Sequence, residues 1–485
     1  MSKYVHPSTT GGRVRLRDVT VVDPLDGSRT PGQDVIVENG RITSVTATAT
    51  ATGAPAADAH VVEGRGRFVV PGFMDMHLHA LNTPEDVDGT YALMLATGVV
   101  GFRQMSGNRA LLKSRREGTL PRPTGAPALK AVTGDLLTPL NASTAEGAVR
   151  AVREQHRDGA DFIKAGATTG AVFMAALEEA NRLGIPLGGH LPGDLDPREA
   201  ARGGVRSIEH LGPGVTVFAA ASSREAEVRA ANTVRKLPPI PQVRFPGADR
   251  LVTKLIKGVV VNPATRTSAT EARAYELADG SYDQRKAEEL AALFVEHTTW
   301  QCPTLIRVHT QQFGDSPEHT ADPRRRYMAP KELRAWDRSA RKFSELPGAT
   351  RRALHGHWAA QLRMTRTFAD AGVPMVAGSD ACGAAGVVPG FGLHDEFDHL
   401  AEAGLDPLTI LRMTTTEPAR FLGEEGAFGR IAPGMPADLV LLDRDPLEDH
   451  TALHGIAGVM RDGSWWSRAD LDAILERVAA EPGAR

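Results

Sequence analysis

The sequence lacks the features of secreted, membrane-spanning and nucleic-acid-binding proteins. Its 485 residues include only two cysteines, Cys302 and Cys382, which excludes a disulfide scaffold. The N-terminus has no apolar signal region, and no apolar run approaches the length of a bilayer span. A formal net charge of -3 argues against the basic face that nucleic acids and anionic membranes require. We expect a cytoplasmic homo-oligomer that acts on a small-molecule substrate, with no nucleic acid and no membrane partner.

Apolar runs alternate with helical patterns through the middle of the chain. Parallel strands that are buried on both faces read as such continuous apolar runs, so the pattern predicts a (β/α)8 TIM-like barrel over residues 69–425. Helical insertions interrupt it at about 212–297 and 309–352. Thr144 is expected to cap one of its helices. The eight runs are FVVPGFMDMH, VVGFRQMS, PALKAVTG, ADFIKAG, IPLGGHL, VRSIEHLG, TTWQCPTLIRV and VPMVAGSD.

Strand-like segments are found at both ends of the chain. Near the N-terminus, QDVIVENGRITSV carries the Asn-Gly pair typical of a tight hairpin. A second β-rich region returns in GRIAPGMPADLVLLDRDP and IAGVMRDGSWW. We therefore predict one composite β-sandwich domain built from residues 1–68 and 426–485.

Ionisable side chains stand at the ends of several predicted barrel strands. All strand C-termini of a barrel face one mouth, so these side chains should converge there. Imidazole and carboxylate suit zinc and related divalent ions. The set exceeds the needs of one catalytic ion, which favours two ions that share a bridging hydroxide. The candidate ligands are His77, His79, Lys164, His190, His210 and Asp380.

Each candidate ligand also has an ordinary structural alternative. A histidine can be a hydrogen-bonded interior residue, and an aspartate in AGSDA can be a cap or turn residue. Lys164 as an ammonium would be unfavourable beside metal ions. If carbon dioxide carboxylated its ε-nitrogen, it would become an anionic ligand with two oxygens. Five such residues at the ends of separate runs favour one shared site.

The motifs PGFMDMHLHA, DFIKAG, GGH, IEH and AGSDA, with the tail TTTEPARFLG and GRIAPGMPADLVLLDRDPLED, resemble the amidohydrolase superfamily. The likeness is to its imidazolonepropionase-related, metal-dependent prolidase-like branch, which includes ochratoxinase-type amidases. The resemblance implies that His77, His79 and Asp380 hold one Zn²⁺ and that His190 and His210 hold the other. N6-carboxylated Lys164 and a hydroxide would bridge the two ions. Asp380 would also be the catalytic proton carrier.

The resemblance implies a binuclear zinc hydrolase that cleaves a C–N amide bond by attack of the bridging hydroxide. The substrate would be an N-acyl amino acid, a dipeptide-like molecule or a cyclic amide. Ester, lactone or carbamate hydrolysis, a reverse cyclisation, and a non-catalytic binding role stay open. The chain departs from the branch pattern at Gln104, where an acid is usual, and in AVTGDLLTP. Candidate substrate-binding residues are Arg103, Arg307, His309 and His394.

Overall fold

The protein is described by a computed structural model, which covers residues 2–7, 9, 12–48, 59–82, 87–232 and 261–482. Part of the first predicted insertion, residues 233–260, lies outside this range. The strands are Arg13–Val22 (β1), Arg29–Glu38 (β2), Arg41–Ala47 (β3), His60–Glu63 (β4), Phe68–Pro71 (β5), Phe73–Leu78 (β6), Val99–Gln104 (β7), Ala128–Val132 (β8), Ile163–Ala165 (β9), Leu187–Gly189 (β10), Ser207–Glu209 (β11), Trp300–Cys302 (β12), Leu439–Leu442 (β13), Ile456–Arg461 (β14) and Ser464–Ser467 (β15).

The helices surround and extend the central strands. They are Val87–Ala96 (α1), Arg109–Arg116 (α2), Ala145–Arg157 (α3), Gly170–Leu183 (α4), Pro197–Arg202 (α5), Thr216–Ala220 (α6), Glu225–Ala231 (α7), Ala269–Gly280 (α8), Gln284–Glu296 (α9), Leu305–Gln312 (α10), Pro317–Thr320 (α11), Pro330–Ser344 (α12), Gly348–Asp370 (α13), Phe391–Glu402 (α14), Pro407–Met413 (α15), Thr416–Leu422 (α16) and Arg468–Ala480 (α17). Thr144 caps α3 as predicted, because its side chain accepts a hydrogen bond from the Gly147 amide. None of the described helices has the length and apolar character needed to cross a bilayer.

Strands from the two ends of the chain share one sheet. Its order is β15-β14-β13-β5-β1-β2-β3, with β4 also paired to β1. The link is β5, which pairs parallel to β1 and antiparallel to β13. The predicted Asn-Gly hairpin joins β2 to β3, and Asn39 and Gly40 adopt φ of 51° and 75°. The composite sheet is therefore present, whereas a sandwich of two stacked sheets is not confirmed.

Parallel strands form the centre of the molecule. One sheet has the order β6-β7-β8, and a second has the order β12-β11-β10-β9. Every residue of β6 and β7 is buried, as expected for strands covered on both faces. An isolated parallel bridge joins the two sheets at Thr133–Phe162, and residues 373–381 bridge to each sheet, at Gln301–Met375 and Leu78–Ala381. The arrangement is TIM-barrel-like, although the described strands form two sheets and not one continuous closed sheet.

The eighth predicted strand, VPMVAGSD, is not a regular strand in the structure. Its backbone still bonds to both neighbours, since the Met76 amide donates to the Ala377 carbonyl and the Gln301 amide to Pro374. The ladder is interrupted where the Asp75 carboxylate accepts the Ser379 amide and the Ser379 hydroxyl, at 3.1 and 2.5 Å. It resumes where the Asp380 amide donates to the His77 carbonyl and the His79 amide to the Ala381 carbonyl. A side chain thus replaces a backbone partner, and the segment ends beside β6.

Candidate metal centre

Five elements bring the predicted ligands together at one end of the central strands. His77 lies at the end of β6 with His79 directly after it, and Lys164 lies in β9. His190 follows β10, and His210 follows β11. The imidazole centroids of His77 and His210 are 4.8 Å apart, and those of His190 and His210 are 5.1 Å apart. The predicted convergence of these side chains is present in the structure.

Asp380 is the carboxylate toward which three of the imidazoles point. His79 Nε2 lies 2.9 Å and His77 Nε2 lies 3.5 Å from Asp380 Oδ1. His210 Nε2 lies 3.8 Å and Arg307 Nε lies 3.1 Å from Asp380 Oδ2. Together His77, His79 and Asp380 form a group whose ligand atoms all lie within 4.8 Å of one another.

Hydrogen bonds on the far side of the rings determine which nitrogen faces Asp380. His77 Nδ1 lies 2.7 Å from the Glu209 carboxylate, which can only accept a proton when ionised. His210 Nδ1 contacts Thr304 Oγ1, whose own proton goes to the Pro303 carbonyl at 2.7 Å. In both rings Nδ1 is therefore the donor. The lone pair of each neutral ring is on Nε2, the nitrogen that faces Asp380.

The orientation of His79 is set by a chain of hydrogen bonds that begins at the backbone of Leu81. The Leu81 amide donates to Gln104 Oε1 at 3.0 Å, so Gln104 Nε2 is the group that approaches Asn82 Oδ1. Asn82 Oδ1 in turn accepts the Ser106 hydroxyl proton. Ser106 Oγ therefore accepts from His79 Nδ1 at 2.6 Å. Gln104, the departure from the branch pattern, contributes to the orientation of a candidate ligand.

These orientations create an electrostatic conflict that a cation would resolve. The lone pairs on the Nε2 atoms face a carboxylate oxygen, and two acceptors repel unless a proton or a metal ion lies between them. Burial lowers the pKa of His77 to about 4, so this ring is neutral near pH 7. The donor set of neutral imidazoles and a carboxylate fits a divalent ion such as Zn²⁺.

The carboxylate itself is held in its charged form. Burial alone would raise the pKa of Asp380, but nearby positive charge, which includes the Arg307 guanidinium 3.1 Å away, lowers it well below its usual value. Burial also lowers the pKa values of His190 and His210 well below the usual range for histidine. The protonation states that bind metal ions are thus the favoured ones.

Lys164 places a buried side-chain amine in the cluster. Its side chain is 1% exposed, and its Nζ has no hydrogen-bond partner within the described part of the chain. Burial lowers the pKa of this amine to about 8. A buried amine without a partner is costly, and its neutral form is the one that reacts with carbon dioxide. The environment of Lys164 fits carboxylation.

The backbone is strained at three residues of the centre. His210, Thr304 and Asp380 have φ of 58°, 47° and 58°, in the left-handed region that non-glycine residues seldom adopt. Gly378 permits a close approach nearby, because a Cβ atom there would lie 2.6 Å from the Cβ of His77. Strain of this kind concentrates at functional sites.

Sequence reasoning did not identify Glu209, although it is a charged residue within an apolar run. It is fully buried and joins His77 to Arg103, whose Nη2 donates to Glu209 Oε1 at 2.9 Å. Arg103 also donates to the Met76 carbonyl at 2.6 Å. Arg103 therefore lies behind His77 and orients Glu209, the carboxylate that His77 contacts.

The other candidate substrate-binding residues occupy different positions. Arg307, on α10, contacts Asp380 as described above. His309, two residues further along α10, contacts His319. His394, on α14, makes a 2.8 Å hydrogen bond to the Thr97 carbonyl and packs against Phe73. Arg307 therefore lies at the centre around Asp380. The contacts given for His309 and His394 are with residues outside that centre.

Part of the chain matches known proteins at the level of sequence. Residues 326–465 match the model described as the Amidohydrolase family. The chain is 37% identical over 75 residues to a dihydroorotase from Endomicrobium trichonymphae and 36% identical over 81 residues to an N-substituted formamide deformylase from Arthrobacter pascens. Each of these matches spans 15% of the length of the curated relative.

Solved structures match nearly the whole chain. A bottromycin amidohydrolase has a TM-score of 0.68 and 23% identity, over 97% of this chain and 90% of its own. A Xaa-Pro dipeptidase has a TM-score of 0.59 and 16% identity, over 94% and 100%. The ochratoxinase of A. niger has a TM-score of 0.58 and 15% identity, over 95% and 96%. These likenesses show a shared fold, and the match of residues 326–465 to the Amidohydrolase family supports the predicted resemblance to the amidohydrolase superfamily.

Proposed function

We propose that the protein is a metal-dependent hydrolase that cleaves a C–N amide bond in a small molecule. The observation that carries the proposal is the direction of the Nε2 lone pairs of His77 and His210 toward the Asp380 carboxylate. Relatives support the bond type, because a formamide deformylase and a bottromycin amidohydrolase are among them. N-acyl amino acids, dipeptide-like molecules and cyclic amides are the substrate classes we propose.

His77, His79 and Asp380 would hold one divalent ion, and His190 and His210 would hold a second. Carboxylated Lys164 would bridge them, which would remove the unpaired amine described above. When bound, such ions supply a deprotonated water at neutral pH and polarise a carbonyl. Zn²⁺ is the ion best suited to this mixture of imidazole and carboxylate.

The chain's own residues would carry out the remaining steps. Asp380 would accept the proton of the attacking water and pass it to the departing amine nitrogen. Arg307, 3.1 Å from Asp380, would keep that carboxylate oriented and offer a guanidinium to a substrate carboxylate. Glu209, Thr304 and Ser106 would hold the rings in the tautomer with a free Nε2.

A substrate panel with one variant and one control tests this proposal. N-acyl amino acids and dipeptides are compared with matched esters in the wild type, in Asp380→Asn and in Asp370→Asn, which changes an exposed aspartate on α13. We expect amide hydrolysis to fall about 10²- to 10⁴-fold in Asp380→Asn only, with a smaller change in metal content. A preference for esters by orders of magnitude, or unchanged amide turnover in Asp380→Asn, would contradict the proposal.

A further inference from the structure

A second group of metal-ligand side chains lies away from Asp380. It consists of His309 on α10 with Glu318 and His319 on α11, and we call it the α10–α11 cluster. His309 Nδ1 is 2.9 Å from His319 Nε2 and 4.0 Å from Glu318 Oε1. Both imidazoles are buried, whereas 63% of the Glu318 side chain is exposed. The group is therefore open to solvent on its carboxylate side.

The spacing of these atoms is close to that of a tetrahedral site. Ligand atoms about 2.0–2.1 Å from a Zn²⁺ ion lie about 3.4 Å from one another. The two recorded separations, 2.9 and 4.0 Å, fall on either side of this value. Rotation of the exposed Glu318 side chain and a small separation of the two rings would reach it.

His399 on α14 supplies a further imidazole at the same place. Its ring centroid lies 4.7 Å from that of His309. Its Nδ1 lies 3.0 Å from the Glu402 carboxylate, whose other oxygen accepts the Trp358 indole N–H at 3.1 Å. An ionised carboxylate accepts only, so His399 donates from Nδ1 and carries its lone pair on Nε2. A carboxylate behind an imidazole is the arrangement usual for metal-bound histidine.

We propose that the α10–α11 cluster binds one divalent ion of the Zn²⁺ class, with His399 as its fourth ligand. This site shares no ligand with the centre around Asp380. It connects α10 to α11 and α14, and α10 also carries Arg307, which contacts Asp380. The ion has a structural role: it holds α11 and α14 against α10, the helix from which Arg307 contacts Asp380.

Zinc content of the full-length protein tests the site independently of activity. Wild type, the double variant His309→Gln/His319→Gln, Glu318→Gln and Glu345→Gln are equilibrated with the same Zn²⁺ concentrations, and bound zinc per chain is measured. Glu345 is an exposed glutamate next to α12, so Glu345→Gln removes the same charge without touching the cluster. We expect the double variant to bind one ion fewer than wild type, and Glu318→Gln to bind that ion at least 10-fold more weakly than Glu345→Gln.

The outcomes separate this site from the proposed catalytic centre. In His77→Asn the ion of the α10–α11 cluster should stay, and the zinc lost should be that of the Asp380 centre. Equal zinc content in wild type and the double variant would overturn the proposal and leave the two imidazoles as a simple hydrogen-bonded pair. If the double variant does not fold, Glu318→Gln decides, since its side chain is exposed. Equal zinc affinity in Glu318→Gln and Glu345→Gln would also overturn the proposal.

Discussion

Glu209→Gln separates the stability of this protein from its proposed metal binding. Glu209 is fully buried and accepts from Arg103 at 2.9 Å, from Ser207 at 2.7 Å and from His77 at 2.7 Å. Burial alone would raise its pKa, but Arg103, Lys164 and His77 lower the pKa well below its usual value. The residue is therefore a buried anion, and its neutral replacement leaves the Arg103 guanidinium uncompensated.

Two effects of different size follow from Glu209→Gln. Removal of one partner of a buried ion pair costs about 3–5 kcal/mol of unfolding free energy. Loss of the carboxylate behind a metal-bound histidine weakens metal binding about 10- to 100-fold. Chemical denaturation measures the first effect, and zinc titration against a competing chelator measures the second.

A double variant distinguishes the two effects. In Glu209→Gln/Arg103→Met the unpaired guanidinium is gone, so part of the lost stability should return. Metal affinity should stay low, because His77 Nδ1 still lacks its carboxylate. If Glu209→Gln unfolds within about 1 kcal/mol of wild type and binds zinc equally well, Glu209 has neither role. If the double variant recovers metal affinity, the effect runs through Arg103 and the reasoning about His77 is refuted.

Two other perturbations test separate parts of the structure. Lys164→Ala should lower metal content and the rate of amide hydrolysis. Acetate should partly restore both, because its carboxylate can occupy the vacated space. Identical metal content and rate in wild type and Lys164→Ala would exclude a bridging role for Lys164. Asp34 is buried, which would raise its pKa, but hydrogen bonds from Thr48, the Asp18 amide and Arg15 lower it. Its stabilising effect is thus complete above the unfolded pKa near ~3.9 and is lost as the pH falls through the lower folded value. Thermal unfolding of Asp34→Asn should approach wild type only in that acidic range, and a constant difference between pH 7 and pH 2 would contradict this.

Local sequence rules predicted the parts of the fold that depend on a few neighbouring residues. The Asn-Gly turn between β2 and β3 and the Thr144 cap of α3 need no tertiary information. The convergence of ligands also followed from sequence, because strand ends of a parallel barrel share one face. The eighth strand could not be predicted in the same way. Its ladder is interrupted by the Asp75 side chain, which reaches it from β6 across the fold.

The residues that hold the candidate ligands in place could not be predicted from the sequence, for a different reason. Glu209 and Arg103 contact each other over a separation of more than 100 positions, and neither fits the apolar pattern of a buried strand. Arg103 carried a substrate-binding prediction because a strand end normally faces the mouth. The guanidinium instead donates to the Met76 carbonyl and to Glu209. Such a contact can be recognised only when the relative depth of two strands is known.

Three non-glycine residues of the candidate metal centre adopt a left-handed backbone conformation that their residue types disfavour. A non-glycine residue in the left-handed region costs roughly 1–2 kcal/mol, so His210, Thr304 and Asp380 together cost about 3–6 kcal/mol. Glycine would avoid this cost but has no imidazole, hydroxyl or carboxylate. The strained residues also support each other, since Thr304 accepts from His210 and His210 faces Asp380. The need for these side chains therefore outweighs the backbone preference at the three positions. This is expected where side chains must be held in a fixed orientation at a functional site, and is not expected in an ordinary turn.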